Sequence, residues 1–183
     1  TVGRALPGVE VRVCDENGAG FPRGEIGTVE VRGPNVFTGY WGMPEKTRAE
    51  LRDSGFFITG DLGVMDADGY LTIVGRGKDL IISGGLNVYP KEVEMAIDAL
   101  PGVVESAVVG VPHGDFGEAV VAVVVGGVTA EQVMTGIAGA LARFKQPKHV
   151  AVVADLPRNA MGKVQKNLLR ERFGGVFALG SPN

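Results

Sequence analysis

The chain is 183 residues long, 45% apolar and 21% charged, with a net charge of −3 at neutral pH. This composition supports a packed core, excludes disorder throughout, and argues against a general nucleic-acid binder. The longest apolar run, Ala119 to Val125, falls well short of the roughly 20 residues that a membrane-spanning helix requires.

The opening residues Thr1-Val2-Gly3-Arg4 carry no initiator methionine and no apolar signal core, and are expected to follow a longer upstream segment. Up to about Gly75 the pattern is short alternating strands separated by turn chemistry. Strands are expected over Val9 to Cys14, Gly27 to Arg32 and Tyr70 to Val74, with a turn at Asp15-Glu16-Asn17-Gly18. A short helix is expected from Pro44, since proline is tolerated in a first turn and Glu45 to Leu51 contains good helix formers. The single cysteine, Cys14, cannot form an internal disulfide and sits in the first alternating run. A packing role and a reducing, cytoplasmic setting follow as expectations.

Past Arg76 the charge balance shifts and the periodicity becomes mixed. A helix is predicted from Pro90 to Leu100, with Val93, Ile97 and Leu100 on one face and Pro101-Gly102 as its stop. Strands Val103 to Val111 and Ala119 to Val125 follow. Thr129 and Gln132 form a capping box for a helix whose stripe would be Val133, Ile137, Leu141 and Phe144. Strand Val150 to Ala154 and a helix from about Val164 to Phe173 complete the pattern, and the Gly-rich remainder is expected to fray. The fold class is α+β: a short β-rich subdomain, residues 1–77, then a small three-layer-like α+β C-terminal domain, residues 78–173, and a flexible tail, residues 174–183.

Three segments combine turn-forming glycines with charged groups. In Thr59-Gly60-Asp61, a carboxylate on a tight turn could accept two hydrogen bonds from a ribose diol, or could simply cap the turn. In Gly75-Arg76-Gly77-Lys78-Asp79, a strand would end in a charged linker, and Gly84-Gly85 would turn the chain toward the helix at Pro90. In Pro157-Arg158-Asn159-Ala160-Met161-Gly162-Lys163, a lysine stands at a loop-to-helix junction. A compact cation there suits charge developing on phosphate or carboxylate, although the segment lacks the spacing of a Gly-Lys-Ser/Thr phosphate loop. Between Arg143 and Arg172 lie eight Lys or Arg against Asp155 and Glu171, a stretch that could face a polyanion or be a solvated basic face. His113 reads as part of a turn and His149 has no evident partner. With these two histidines and one cysteine, no dedicated metal site is expected.

Taken in order, these segments resemble the adenylate-forming superfamily of acyl-CoA synthetases, nonribosomal peptide adenylation domains and luciferases, from Gly3-Arg4-Ala5-Leu6-Pro7-Gly8-Val9 to about Phe173. Gly24-Glu25-Ile26-Gly27-Thr28-Val29-Glu30-Val31-Arg32-Gly33, Gly39-Tyr40-Trp41 and Pro44-Glu45-Lys46-Thr47 carry the resemblance ahead of Thr59-Gly60-Asp61. Gly84-Gly85-Leu86-Asn87-Val88-Tyr89-Pro90 with Glu92 and Glu94 is similar to the acyl-CoA synthetases. Arg158 to Lys166 is similar to malonyl-CoA synthetases.

The resemblance implies an AMP-forming, ATP-dependent acid-thiol ligase of malonyl or fatty acyl groups, with a carboxylic acid, ATP and coenzyme A as partners. Asp61 and Arg76 would hold the ribose of ATP or AMP, Lys78 would be the hinge of a mobile domain, and Lys163 would act on the carboxylate and α-phosphate. Gly84 and Gly85 would line the path of the coenzyme's thiol, with Lys145 and Lys148 on its phosphates. Many family members carry Asp where Lys78 stands. Mg²⁺ would accompany ATP, its ligands lying outside this sequence. No phosphate loop ending in Pro-Lys and no acyl pocket is evident, so the 183 residues alone are expected to be inactive. The alternative is a noncatalytic interaction module retaining the family fold, and a homodimer-forming scaffold is a third choice.

Overall fold

The computed structural model describes residues 1–178. The chain divides into two compact units, Thr1–Lys78 and the residues from Asp79 onward.

The first unit is built on an antiparallel meander of four strands: β1 (Glu10–Cys14), β2 (Ile26–Arg32), β3 (Phe57–Met65) and β4 (Leu71–Arg76). Asp15 closes the turn after β1 by accepting from Asn17 N and Ala19 N at 2.9 and 2.8 Å. Alternation along β1 and β2 puts Val11, Val13 and Val29 on the core face with Met65, Leu71 and Ile73. Glu30, on the opposite face, is fully buried and takes Arg12 at 2.6 Å and Arg52 at 2.7 Å. Helix α1 (Pro44–Glu50) begins at its proline as the sequence predicts.

Strand β3 is absent from the sequence-based expectation, because FITGDLGVM has no clean alternation. Its conformation is imposed by ladders on both sides, with β2 and with β4. Thr59-Gly60-Asp61 therefore lies within a strand and not on a tight turn, which corrects the expected placement.

The second unit opens with a hairpin, β5 (Ile81–Ser83) and β6 (Leu86–Val88), whose two central residues are Gly84 and Gly85. Their φ values of +58° and +79° are those a two-residue turn with both centres left-handed demands. Helix α2 (Pro90–Asp98) follows, then β7 (Val103–His113), β8 (Gly117–Gly126), α3 (Ala130–Ile137), β9 (His149–Val153) and α4 (Lys166–Phe173). Strand β8 is central, antiparallel to β7 and parallel to β9. Its uninterrupted run Ala119 to Val124 is buried on both faces. Val108, Val120, Ala122 and Val124 pack toward Val93, Ile97, Val133 and Ile137 of α2 and α3. Ala107, Val109, Val121 and Val123 pack toward Leu156 and Leu169 on the other side. The unit is thus three-layered. Each fully buried Val or Ile in these faces contributes about 1.5–3 kcal/mol relative to exposure.

The capping box of α3 forms as expected, with Gln132 N donating to Thr129 Oγ1 and Thr129 N to Gln132 Oε1. The helix stops at Ile137, however, in a glycine-containing stretch where each Gly costs about 1 kcal/mol relative to Ala. Leu141 still reaches the core, but Phe144 lies in a 3-10 turn, Arg143–Lys145, and is 36% exposed. The single helical stripe ending at Phe144 is corrected accordingly. Of the expected fraying tail, Val176 and Phe177 pack against the α4-side core. Residues 179–183 lie outside the described residues.

Candidate functional site

Asp61 on β3 and Arg76 on β4 are register partners across the ladder. The Arg76 guanidinium meets the Asp61 carboxylate at 2.8 Å and also donates to Thr59 O at 2.7 Å. Thr59 Oγ1 donates to Val29 O and accepts from Asp61 N, so the tripeptide is fixed to β2. Gly60 adopts φ +75°, a conformation that side chains disfavour. Both partners remain partly solvent-accessible, so the pair offers acceptor and donor sites side by side to an incoming hydroxyl-bearing ligand.

Lys78 lies in a 3-10 turn, Gly77–Asp79, with its side chain exposed. The next residue, Asp79, is tied down by Arg170 of α4 at 2.6 Å. Lys78 makes no ion pair among the described residues.

Gly84 opens onto a cavity of about 410 Å³, lined also by Ser83, Leu86, Phe116, Arg143, Phe144 and Lys148. Gly84 N donates to Phe116 O at 2.9 Å, and the Lys148 ammonium stands 5.3 Å over the Phe116 ring. The structure thus brings Gly84 and Lys148 together. A Cβ on Gly85 would meet nothing within 4 Å, so that residue is required by its φ and not by crowding. Lys145 is engaged elsewhere: its ammonium takes both Glu92 carboxylate oxygens at 2.6 and 2.8 Å. Phe116, Arg143 and Phe144 as cavity walls escaped the sequence reading. The signal that could have found two of them is a phenylalanine embedded in the basic run Arg143-Phe144-Lys145. Two rings and two cations around one cavity suit an aromatic base that carries phosphates.

Lys163 is presented by a loop held almost entirely through polar bonds. Asn159 Oδ1 accepts from Met161 N and from Lys163 N, both at 3.0 Å. Asn159 N donates to Lys163 O, Gly162 N to Asn159 O and Gln165 N to Pro157 O. Gly162 turns the chain at φ +77°. The Lys163 side chain is exposed and makes no ion pair among the described residues. The loop therefore combines a fixed backbone with an uncommitted cation, a pairing suited to stabilising negative charge.

The remaining reactive groups are structural. Burial, reinforced by the Glu30 charge, pushes the Cys14 thiol up to about 11, so it packs without being nucleophilic. His113, expected in a turn, is the last residue of β7; its Nδ1 accepts from Asp115 N in the turn that follows, and its ring lies beside Phe116. Among the described residues no three His, Cys, Asp or Glu side chains gather as metal ligands, and no helix is long and apolar enough to cross a membrane.

Known proteins resemble the chain along most of its length. Residues 92–163 match the AMP-binding enzyme C-terminal domain, and residues 1–41 match the AMP-binding enzyme family. Feruloyl-CoA synthase of Amycolatopsis sp. is 44% identical over 169 residues, covering 90% of this chain and 34% of its own length. Long-chain-fatty-acid–CoA ligase FadD13 of Mycobacterium tuberculosis is 42% identical over 179 residues, covering 96% of this chain and 35% of its own length. ATP-bound MatB from Rhodopseudomonas palustris superposes with a TM-score of 0.89 at 64% identity, over 96% of this chain and 36% of MatB. The chain spans about a third of the length of the relatives it matches. With both family matches in chain order and the fold shared across nearly the whole sequence, the chain belongs to the AMP-binding enzyme family.

Proposed function

We propose that the chain is the C-terminal third of an ATP-dependent, AMP-forming acyl-CoA synthetase. The complete enzyme would join a carboxylate to ATP, releasing pyrophosphate and forming an acyl-adenylate. The thiol of coenzyme A would then attack the acyl carbon, giving an acyl-CoA and AMP. The observation that carries this reading is Lys163: an unpaired cation on a hydrogen-bonded loop at the end of the matched C-terminal domain. An interaction module would need neither the bare lysine nor the Asp61–Arg76 pair.

Adenylation must bring two anions together, and a cation already in place would lower that barrier by about 3–4 kcal/mol, the usual loss when one such donor is removed. Asp61 would accept the ribose hydroxyls while Arg76 holds its carboxylate in position. Gly84 would admit the thin pantetheine arm past a turn without side chains. The cavity of Phe116, Phe144, Arg143 and Lys148 would take the coenzyme's nucleotide end. Lys145, whose ammonium is taken by Glu92, would hold the 3-10 turn that carries Arg143 and Phe144 instead of contacting phosphate itself. Lys78 would carry the rotation that exchanges Lys163 for the Gly84 face between the two steps. Mg²⁺ would accompany ATP, and a cytoplasmic setting fits these substrates.

The acyl group is proposed to be malonyl, on the likeness of Arg158 to Lys166 to malonyl-CoA synthetases and the 64% identity to MatB. Fatty acyl remains the second choice, supported by the likeness to a long-chain ligase. The test is pyrophosphate release by the complete enzyme with malonate, acetate and a long-chain acid. Release that depends on a carboxylate and disappears in Lys163→Ala supports the reading. Release that survives in that variant overturns it. The 183 residues alone are expected to release none above a heat-killed control.

A further inference from the structure

The bareness of Lys163 is useful only if the loop tip stays where it is, and the tip has little packing to hold it. Its stems are anchored, because Leu156 is buried and Val164, the residue after Lys163, packs against the same core. Between them Asn159 and Ala160 are exposed and Met161 is 78% exposed. Position at the tip therefore comes from hydrogen bonds. Those of Asn159 are internal to the loop: they give it shape but attach it to nothing.

The tip between those stems is attached to the sheet by Arg158. One guanidinium nitrogen donates to Gly162 O at 2.7 Å, on the residue immediately before Lys163. Another pairs with the Glu105 carboxylate. Glu105 belongs to β7, an eleven-residue strand laddered to β8, where it faces Val125. Because a guanidinium is planar and its donors keep a fixed fork, the same group cannot satisfy both acceptors unless the tip keeps one position relative to β7. We propose that Glu105, acting through Arg158, is a positioning residue for Lys163. This rests on the reading of Lys163 as the adenylation cation.

The pair is 33% and 42% exposed at Glu105 and Arg158, so it contributes little to global stability and its loss should not unfold the domain. Displacing a catalytic group by about 1 Å is enough to cost one to two orders of magnitude in rate. In the complete enzyme, Glu105→Leu, which keeps the volume and removes the acceptor, should slow adenylation by about tenfold in kcat. The KM for ATP, the turnover of preformed acyl-adenylate with coenzyme A, and the melting temperature should all stay unchanged. Glu105→Gln restores an acceptor and should recover part of the rate. In the 183-residue chain, amide exchange at Met161 and Lys163 should quicken by about tenfold in Glu105→Leu. Wild-type adenylation in Glu105→Leu, equal losses in both half-reactions, or unchanged amide exchange would each overturn the tie while leaving the role of Lys163 intact. Lys163→Ala run in parallel separates the two failures: full adenylation in that variant overturns the functional reading and the tie with it.

Discussion

The two units treat their charges in opposite ways. In Thr1–Lys78 the buried and strand-borne carboxylates are already matched within the unit: Glu30 is buried between Arg12 and Arg52, and Asp61 lies against Arg76. In the unit from Asp79 onward, structural lysines are matched too, Lys145 by Glu92 and Lys166 by Glu94, but Lys163 is left bare on a loop whose backbone is fixed. A matched pair holds a neutral, hydrogen-bonding ligand group such as a ribose hydroxyl without a large cost in desolvated charge. A bare cation is poised for a ligand whose negative charge grows during reaction.

The largest expected effect follows from removing the bare charge. Lys163→Ala in the complete enzyme should lower adenylation by about 10²–10³-fold, in line with losing one preorganised donor, and leave stability and the thioester step unchanged. Exchange of pyrophosphate into ATP measures the first step, and turnover of a synthetic acyl-adenylate measures the second. Equal losses in both would erase the distinction between the two units' charges.

Next comes the junction between them. Lys78→Pro would fix φ near −65° at the proposed hinge, and should depress one half-reaction by about a hundredfold while sparing the other. Lys78→Ala keeps backbone freedom and should disturb both only mildly. Matching modest losses in the proline variant would place the rotation elsewhere.

The matched pair should respond less. Asp61→Ala leaves Arg76 without its carboxylate and, on the proposed reading, the ribose without an acceptor; in the complete enzyme it should weaken ATP binding by about 1–3 kcal/mol, read by calorimetry. An unchanged affinity would return Asp61 to a purely structural role on β3.

Sequence periodicity was enough for the elements whose own residues dictate them. The valine-rich run Ala119 to Val124 favours a strand covered on both faces, and Thr129 with Gln132 caps α3 from within four residues of chain. What stayed hidden is what neighbours impose. Strand β3 has two glycines and an aspartate where alternation should be, and owes its conformation to β2 and β4. The cavity beside Gly84 draws Phe116 from one hairpin and Phe144 from a turn 28 positions later, a meeting that the basic run around Phe144 does not announce. Glu105 reaches Arg158 across 53 positions and belongs to no motif. Tertiary pairing of this kind leaves no local period to read.

The last effect is one of pH and would mark the first unit alone. Burial pushes the Glu30 carboxyl up, but hydrogen bonds from Arg12 and Arg52 outweigh it and hold the group below its ordinary range. Since the folded value lies below the unfolded one of about 4.3, the ionised carboxylate stabilises the fold. That contribution is complete above the unfolded value and disappears as pH falls through the folded one. Urea midpoints between pH 7 and pH 3 should therefore stay level at first and drop only in the acid limb. Amide exchange along β1 and β2 should report the loss, because the only tryptophan, Trp41, is fully exposed in the folded chain and a poor probe of unfolding. Glu30→Gln should start from a lower midpoint and lack that added fall, since it has no proton to take up. An acid limb of the same depth in Glu30→Gln would mean that the matched charges of the first unit do not set its pH response.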